Sequence, residues 1–146
     1  MNAQQEETVV VKRAKRLSNV LTAIQPLYNG VPLKALVVDD NQDALALKRR
    51  ELEGEGFEVV CTGSGEEAVC ILKDRGKQFL VMFVDLDLRG AIDGLTVLES
   101  AREFAGIKIL WSGCFPSSEV KKRLVGLADY FSLKGSDEYE QVAQGV

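Results

Sequence analysis

The chain has no histidine among its 146 residues. That absence excludes a Ser-His-Asp triad, a Cys-His dyad, imidazole ligation of zinc or haem, and imidazole acid–base chemistry supplied by this chain. Cysteine is scarce and poorly spaced for metal or disulfide work: Cys61, Cys70 and Cys114 form no CxxC, and an odd number cannot pair off completely. Three buried, reduced, small apolar residues are expected there. Long apolar runs are also missing. The longest, Phe79 to Val84, has six residues, far short of the roughly 20 that a membrane-spanning helix needs. The N-terminus carries charges where a signal peptide needs its apolar stretch. A soluble, cytoplasmic protein without membrane contact is the expectation. A net charge of −4 also lacks the clustered cations of a broad nucleic-acid footprint, so no direct nucleic-acid partner is expected.

What remains is an ordinary globular mixture, 46% apolar and 27% charged, long enough for one domain with a sizeable core. From residue 34 onward, short apolar runs alternate with helix-period segments. Strands are expected at Ala35–Val38, Phe57–Thr62, Phe79–Val84, Ile107–Trp111 and Tyr130–Leu133. Helices are expected at about Ala44–Leu52, Glu66–Arg75, Leu95–Phe104 and Ser118–Leu127, with a short final helix from about Ser136. Five strands alternating with five helices predict βαβ units, a doubly wound parallel sheet and an α/β fold.

The first 33 residues break that rhythm, which divides the chain into an extension or linker over 1–33 and a main domain over 34–146. Val10, Ala14, Leu17, Leu21, Ile24 and Tyr28 follow the alternating spacing of a helical seam, interrupted by Pro26. Two readings stay open: a helix packed on its own domain or serving as a linker, and a helix that forms a homodimer or docks a partner. Lys12, Arg13, Lys15 and Arg16 read as a solvated basic face.

In an open α/β sheet, ligands bind beyond the carboxyl ends of the strands. The first strand runs into Asp39 and Asp40, the third into Asp85 and Asp87, the fourth into Ser112 and the fifth into Lys134. The second ends only in a bland Thr62-Gly63-Ser64 turn. Each group alone has an ordinary explanation; Asp-Asp-Asn before a helix, for instance, is a good N-cap. Together they form an oxygen-only, histidine-free cluster that suits Mg²⁺. With a hydroxyl and an ammonium beside it, the set suits phosphoryl transfer onto an aspartate.

These motifs carry a resemblance. Val37-Val38-Asp39-Asp40-Asn41, Val84-Asp85-Leu86-Asp87-Leu88 leading to Asp93-Gly94-Leu95, and Ala128-Asp129-Tyr130-Phe131-Ser132-Leu133-Lys134 resemble the receiver (REC) domain of two-component response regulators, over about Lys34 to Glu140. The resemblance implies a flavodoxin-like (βα)5 sheet of order 2-1-3-4-5, which makes the first and third strands neighbours. It implies that Asp85 accepts a phosphoryl group from a phosphohistidine on a sensor histidine kinase or phosphotransfer protein. Mg²⁺ would be held by Asp39 or Asp40, by Asp85 and by the backbone carbonyl of Asp87. Lys134 would pair with the phosphoryl oxygens, Ser112 would hydrogen-bond one of them, and Phe131 would report that movement by turning inward. Such a chain assists its own phosphorylation and dephosphorylation without being a turnover enzyme, and its downstream target would be a protein.

The chain departs from the family pattern in three places. Gly135 comes after Lys134 where Pro is usual, which predicts a trans bond; Gly113 replaces a small Ala; and Arg89-Gly90 replaces a common Pro. The Asp87 side chain is expected to influence aspartyl-phosphate lifetime, and Trp111 to be core. Two alternatives remain: a phosphate-independent receiver-like interaction module, and a haloacid-dehalogenase-type phosphatase. Against the second, the acidic pair precedes the Lys, and Leu88 stands where Thr or Val is preferred. The chain could be a stand-alone regulator or a domain of a longer signalling protein.

Overall fold

A computed structural model describes residues 14–16, 33–136 and 138–142. Strands β1 (Ala14–Arg16), β2 (Lys34–Val38), β3 (Glu58–Thr62), β4 (Val81–Asp85), β5 (Ile107–Ser112), β6 (Tyr130–Leu133) and β7 (Glu138–Gln141) form one sheet in the order β1-β7-β6-β5-β4-β2-β3. Helices α1 (Gln42–Gly54), α2 (Gly65–Arg75), α3 (Gly94–Ser100) and α4 (Ser118–Leu124) connect the parallel strands. The five parallel strands β2 to β6 stand in the expected 2-1-3-4-5 order.

Each helix begins just past a strand's carboxyl end, and each has a side-chain cap. Asn41, Ser64, Asp93 and Ser117 accept from the backbone N–H of Ala44, Glu67, Thr96 and Val120, respectively, satisfying donors that the first helical turn leaves unpaired. The capped ends and the strand ends therefore share one edge of the sheet.

Strand alternation sorts side chains onto two faces. Leu36, Val38, Met82, Val84 and Leu110 pack with Ala68, Ile71, Leu95 and Leu98. Ala35, Val37, Phe83, Ile109 and Trp111 pack on the opposite face with Leu45, Leu52 and Tyr139. All five β4 residues are buried, as a strand covered on both faces requires. Each such aliphatic side chain, fully buried, contributes about 1.5–3 kcal/mol. Trp111 is core as expected and meets Phe83 edge-on, with ring centroids 6.5 Å apart.

The structure corrects three expectations. The short final helix is instead strand β7, antiparallel to β6. Gly135 adopts φ +89°, open to glycine but closed to proline. The Ser136 N–H donates to the Leu133 carbonyl at 3.0 Å, and the Ser136 hydroxyl accepts from the Glu138 N–H at 3.1 Å. The chain so turned runs back as a strand, with Tyr139 buried between exposed Glu138 and Glu140. Gly135 thus accounts for the departure from the expected final helix, and the Lys134–Gly135 bond is trans, as expected.

The second correction concerns the helical reading of 1–33. Residues 14–16 form strand β1, with Ala14 opposite Glu140 and Arg16 opposite Glu138. Pairing with β7 satisfies backbone groups that a bare edge would leave open. The other seam positions, Val10, Leu17, Leu21, Ile24 and Tyr28, lie outside the described residues. Third, the cysteines are not all buried: Cys70 and Cys114 are exposed and Cys61 is half-buried. Cys70 falls on the outward stripe of α2, whose inward residues are Gly65, Ala68 and Ile71. No helix among the described residues is long and apolar enough to cross a membrane.

Candidate functional site

Parallel register brings the ends of β2 and β4 side by side, with Val38 opposite Val84. One carboxylate oxygen each from Asp39, Asp40 and Asp85 therefore falls within 4.8 Å of the others. Asp39 is fully buried, Asp85 is 4% exposed and Asp40 lies at the rim. Two of these carboxylates are oriented alike. The Asn41 N–H donates to Asp39 Oδ1 at 2.9 Å, and the Asp87 N–H donates to Asp85 Oδ1 at 3.3 Å. Such turns, in which a carboxylate takes the N–H two residues on, are a local habit of aspartate. They leave both Oδ2 atoms facing inward.

Lys134 reaches across from β6. Its Nζ lies 2.6 Å from Asp39 Oδ2 and 3.4 Å from Asp85 Oδ2, so the long stem spans the intervening strand β5. Its backbone N–H donates to the Ser112 carbonyl at 2.7 Å, tying the end of β6 to that of β5. Asp39 Oδ2 has no well-angled hydrogen bond; its contact with Lys134 is an ion pair. Ser112 is fully buried, and its hydroxyl accepts from the Cys114 N–H at 3.4 Å. Phe131 is buried under the same strand ends, with its ring 5.8 Å from exposed Phe115. Asp87 is exposed, and its backbone N–H is the group that reaches Asp85.

The electrostatics are those of crowded acids. Burial, reinforced by the charge of Asp39, pushes Asp85 from its ordinary 3.8 up to about 6, although Lys134 pulls it down. Burial alone would lower Lys134, but its close contact with Asp39 and the charges of Asp85 and Asp39 outweigh that and raise it. Three carboxylates against the Lys134 ammonium and the exposed Arg89 guanidinium still leave a negative balance that a hard cation suits. The donor set is all oxygen, and the buried Asp39 Oδ2 lacks a hydrogen bond, so these residues fit Mg²⁺.

Sequence reasoning missed two participants. Lys48, on α1, is 4% exposed; its Nζ sits 4.9 Å from the Phe83 ring centroid and 5.1 Å from that of Trp111, and 3.1 Å from Glu51 Oε2. Helical spacing puts it on the inward face between Leu45 and Leu52, but its partners are not readable from the sequence, because the aromatic rings come from three strands that converge on it only in space. Glu66, the second residue of α2, accepts from the Ile92 N–H at 3.1 Å and so anchors the loop after β4. A capping-box reading of the segment around Ser64 points to Glu67 at the third helical position, so it does not single out Glu66.

Comparisons with known proteins agree with this geometry. The family model "Response regulator receiver domain" matches residues 35–134. The transcriptional regulatory protein CpxR of Escherichia coli (strain K12) is 32% identical over 114 residues, covering 76% of this chain and 47% of that protein. The chain thus spans about half the length of the curated relatives it matches. Among solved structures, the CheX–CheY–BeF3–Mg²⁺ complex of Borrelia burgdorferi contains a chain with TM-score 0.66 and 29% identity, covering 74% of this chain and 82% of that one. A CheY-like receiver domain of Methanospirillum hungatei JF-1 gives TM-score 0.65 at 25% identity, covering 72% and 83%. The chain belongs to the response regulator receiver domain family, the phosphoacceptor signalling domains of two-component systems, which are not turnover enzymes.

Proposed function

We propose that Asp85 is the phosphoacceptor of this receiver domain. One observation carries the assignment: Asp85 ends β4, the middle one of the five parallel strands, joins the three-carboxylate cluster and shares the Lys134 ammonium with Asp39, yet keeps a little exposure where Asp39 is fully buried. With no histidine in the chain, the donor phosphohistidine belongs to a histidine kinase or phosphotransfer protein. An Asp85 carboxylate oxygen attacks phosphorus, the P–N bond breaks, and the departing imidazole takes up a proton. Asp39, Asp40, Asp85 and the Asp87 backbone carbonyl would hold Mg²⁺, which offsets phosphoryl charge. Lys134 then pairs with a phosphoryl oxygen, Ser112 donates its hydroxyl to another, and Phe131, already buried beside Phe115 here and not turned outward as the resemblance implied, repacks with Ser112. Assisting its own phosphorylation and dephosphorylation in this way, the domain biases a protein-interaction face around β5, α4 and β6.

The test is incubation with acetyl phosphate and Mg²⁺, then intact-mass spectrometry. One phosphoryl group should add to the parent and none to Asp85→Asn. A parent that takes none would favour the phosphate-independent module. A second experiment addresses Asp87, whose exposed carboxylate stands two residues from the acceptor. Asp87→Asn should lengthen the aspartyl-phosphate half-life several-fold, because it removes a carboxylate two residues from the acceptor that can act as a base toward attacking water. Equal half-lives would remove that role. As expectations for the whole protein, we retain a cytoplasmic setting, the division into an extension over 1–33 and a receiver over 34–146, and a homodimer as one use of the extension.

A further inference from the structure

The loop after β4 carries a cation aimed at the acidic cluster. Arg89 Nε lies 3.4 Å from Asp40 Oδ2, and the Arg89 side chain is otherwise 95% exposed. Lys134 serves Asp39 and Asp85 from one side, and Arg89 serves Asp40 from the other. A guanidinium cannot escape by losing its proton, so it must either leave Asp40 or compete with any ion that takes the same oxygen.

The loop is built to let it leave. Its far end is pinned where Ile92 donates to Glu66 Oε1 at 3.1 Å, with Glu66 Oε2 held by the Ser64 hydroxyl at 2.9 Å. Gly94 then rests directly against the Asp85 backbone. Between Asp85 and Ile92 the loop is exposed at Asp87 and held at Leu88, which packs in the core; the stretch 89–91 is exposed throughout and forms a short arch that begins at Arg89.

We propose that Arg89 gates the metal site. It closes on Asp40 when no divalent ion is bound and is displaced when Mg²⁺ takes the Asp40 carboxylate, which frees the arch. This rests on the receiver reading of the cluster and adds a residue that tunes its metal affinity. It also gives a reason for Arg89 at a position where the family commonly has Pro: a fixed proline ring could neither pair with Asp40 nor let go.

The experiment is a Mg²⁺ titration of the full chain and of Arg89→Gln at low salt. It is monitored by calorimetry and by emission of the single tryptophan, Trp111, whose ring centroid lies 4.9 Å from Lys134 Nζ. Losing an exposed ion-pair competitor should tighten Mg²⁺ binding by about two- to five-fold, with the gain shrinking as salt rises. Arg75→Gln, at the opposite end of α2 from its Ser64 cap, should leave the affinity unchanged. Amide exchange over 89–91 should quicken when Mg²⁺ binds the parent, and should already be fast in metal-free Arg89→Gln. Equal or weaker Mg²⁺ binding by Arg89→Gln overturns the gate alone. Absence of Mg²⁺ binding in both proteins overturns the metal assignment beneath it.

Discussion

In metal-free buffer at about pH 7.5, Asp85→Asn is expected to be more stable than the parent by on the order of 2–3 kcal/mol. Burial and the charge of Asp39 raise the Asp85 carboxyl in the folded chain from an ordinary 3.8 to about 6. The folded state therefore holds that proton more tightly than the unfolded state. Its contribution to stability is fully present below about pH 4 and is lost as pH rises through about 6. At neutral pH the chain carries a buried carboxylate it would fold more readily without. An amide of the same shape removes the charge, while Lys134 keeps Asp39 at 2.6 Å. Thermal melts in EDTA should show the variant higher by roughly 5–10 °C, with the gap narrowing as pH falls below about 6. Coincident melts at neutral pH would show that the site stores no such strain. The acceptor is thus expected to be stabilised by its own removal, as befits a group held for chemistry and not for folding.

Gly94→Ala should act in the opposite direction and at least as strongly. A Cβ there would overlap the Asp85 carbonyl oxygen and lie 2.9 Å from both the Asp85 carbonyl carbon and the Leu86 Cα. All of these are backbone atoms and cannot swing aside. Accommodating a methyl group means moving either the start of α3 or the end of β4, the strand end that carries the acceptor. A loss of about 3 kcal/mol or more is expected, read as a lower urea midpoint and as loss of phosphoryl labelling in whatever fraction still folds. Gly113→Ala is the control: nothing lies within 4 Å of its Cβ position, so its midpoint should stay within about 0.5 kcal/mol of the parent. A Gly94→Ala midpoint equal to that of Gly113→Ala would mean the close contact at Asp85 is not a constraint.

The site was legible because each of its parts lies directly after an apolar run. Asp39, Asp85, Ser112 and Lys134 stand at or just beyond the carboxyl ends of their strands, and the fold brings those ends to one sheet edge. Lys48 and Glu66 were not legible in that way. Lys48 sits on a helix among exposed neighbours, and its burial depends on Phe83, Trp111 and Tyr139, which come from three separate strands. Glu66 looks like a first-turn acid, and its bond to the Ile92 N–H joins positions 26 residues apart. Arg89 stands out in the sequence only as a departure from pattern. Its pairing with Asp40 depends on how a loop folds back, which periodicity does not address.

The end of the chain shows the same limit. Glu138-Tyr139-Glu140-Gln141 is too short and too polar for its period to decide between helix and strand. The left-handed turn at Gly135 and a place for Tyr139 against Phe83, with centroids 6.2 Å apart, decided it. Apolar spacing along the chain was enough to establish five parallel strands with helices between them and the edge where ligands gather. Given the receiver resemblance, the absence of histidine implies that a phosphohistidine donor would lie on another protein. Which carboxylate oxygens face Lys134, which cation pairs with Asp40 and the continuation of the sheet through β7 came only with the folded chain. Those depend on angles and on contacts between residues far apart in the chain.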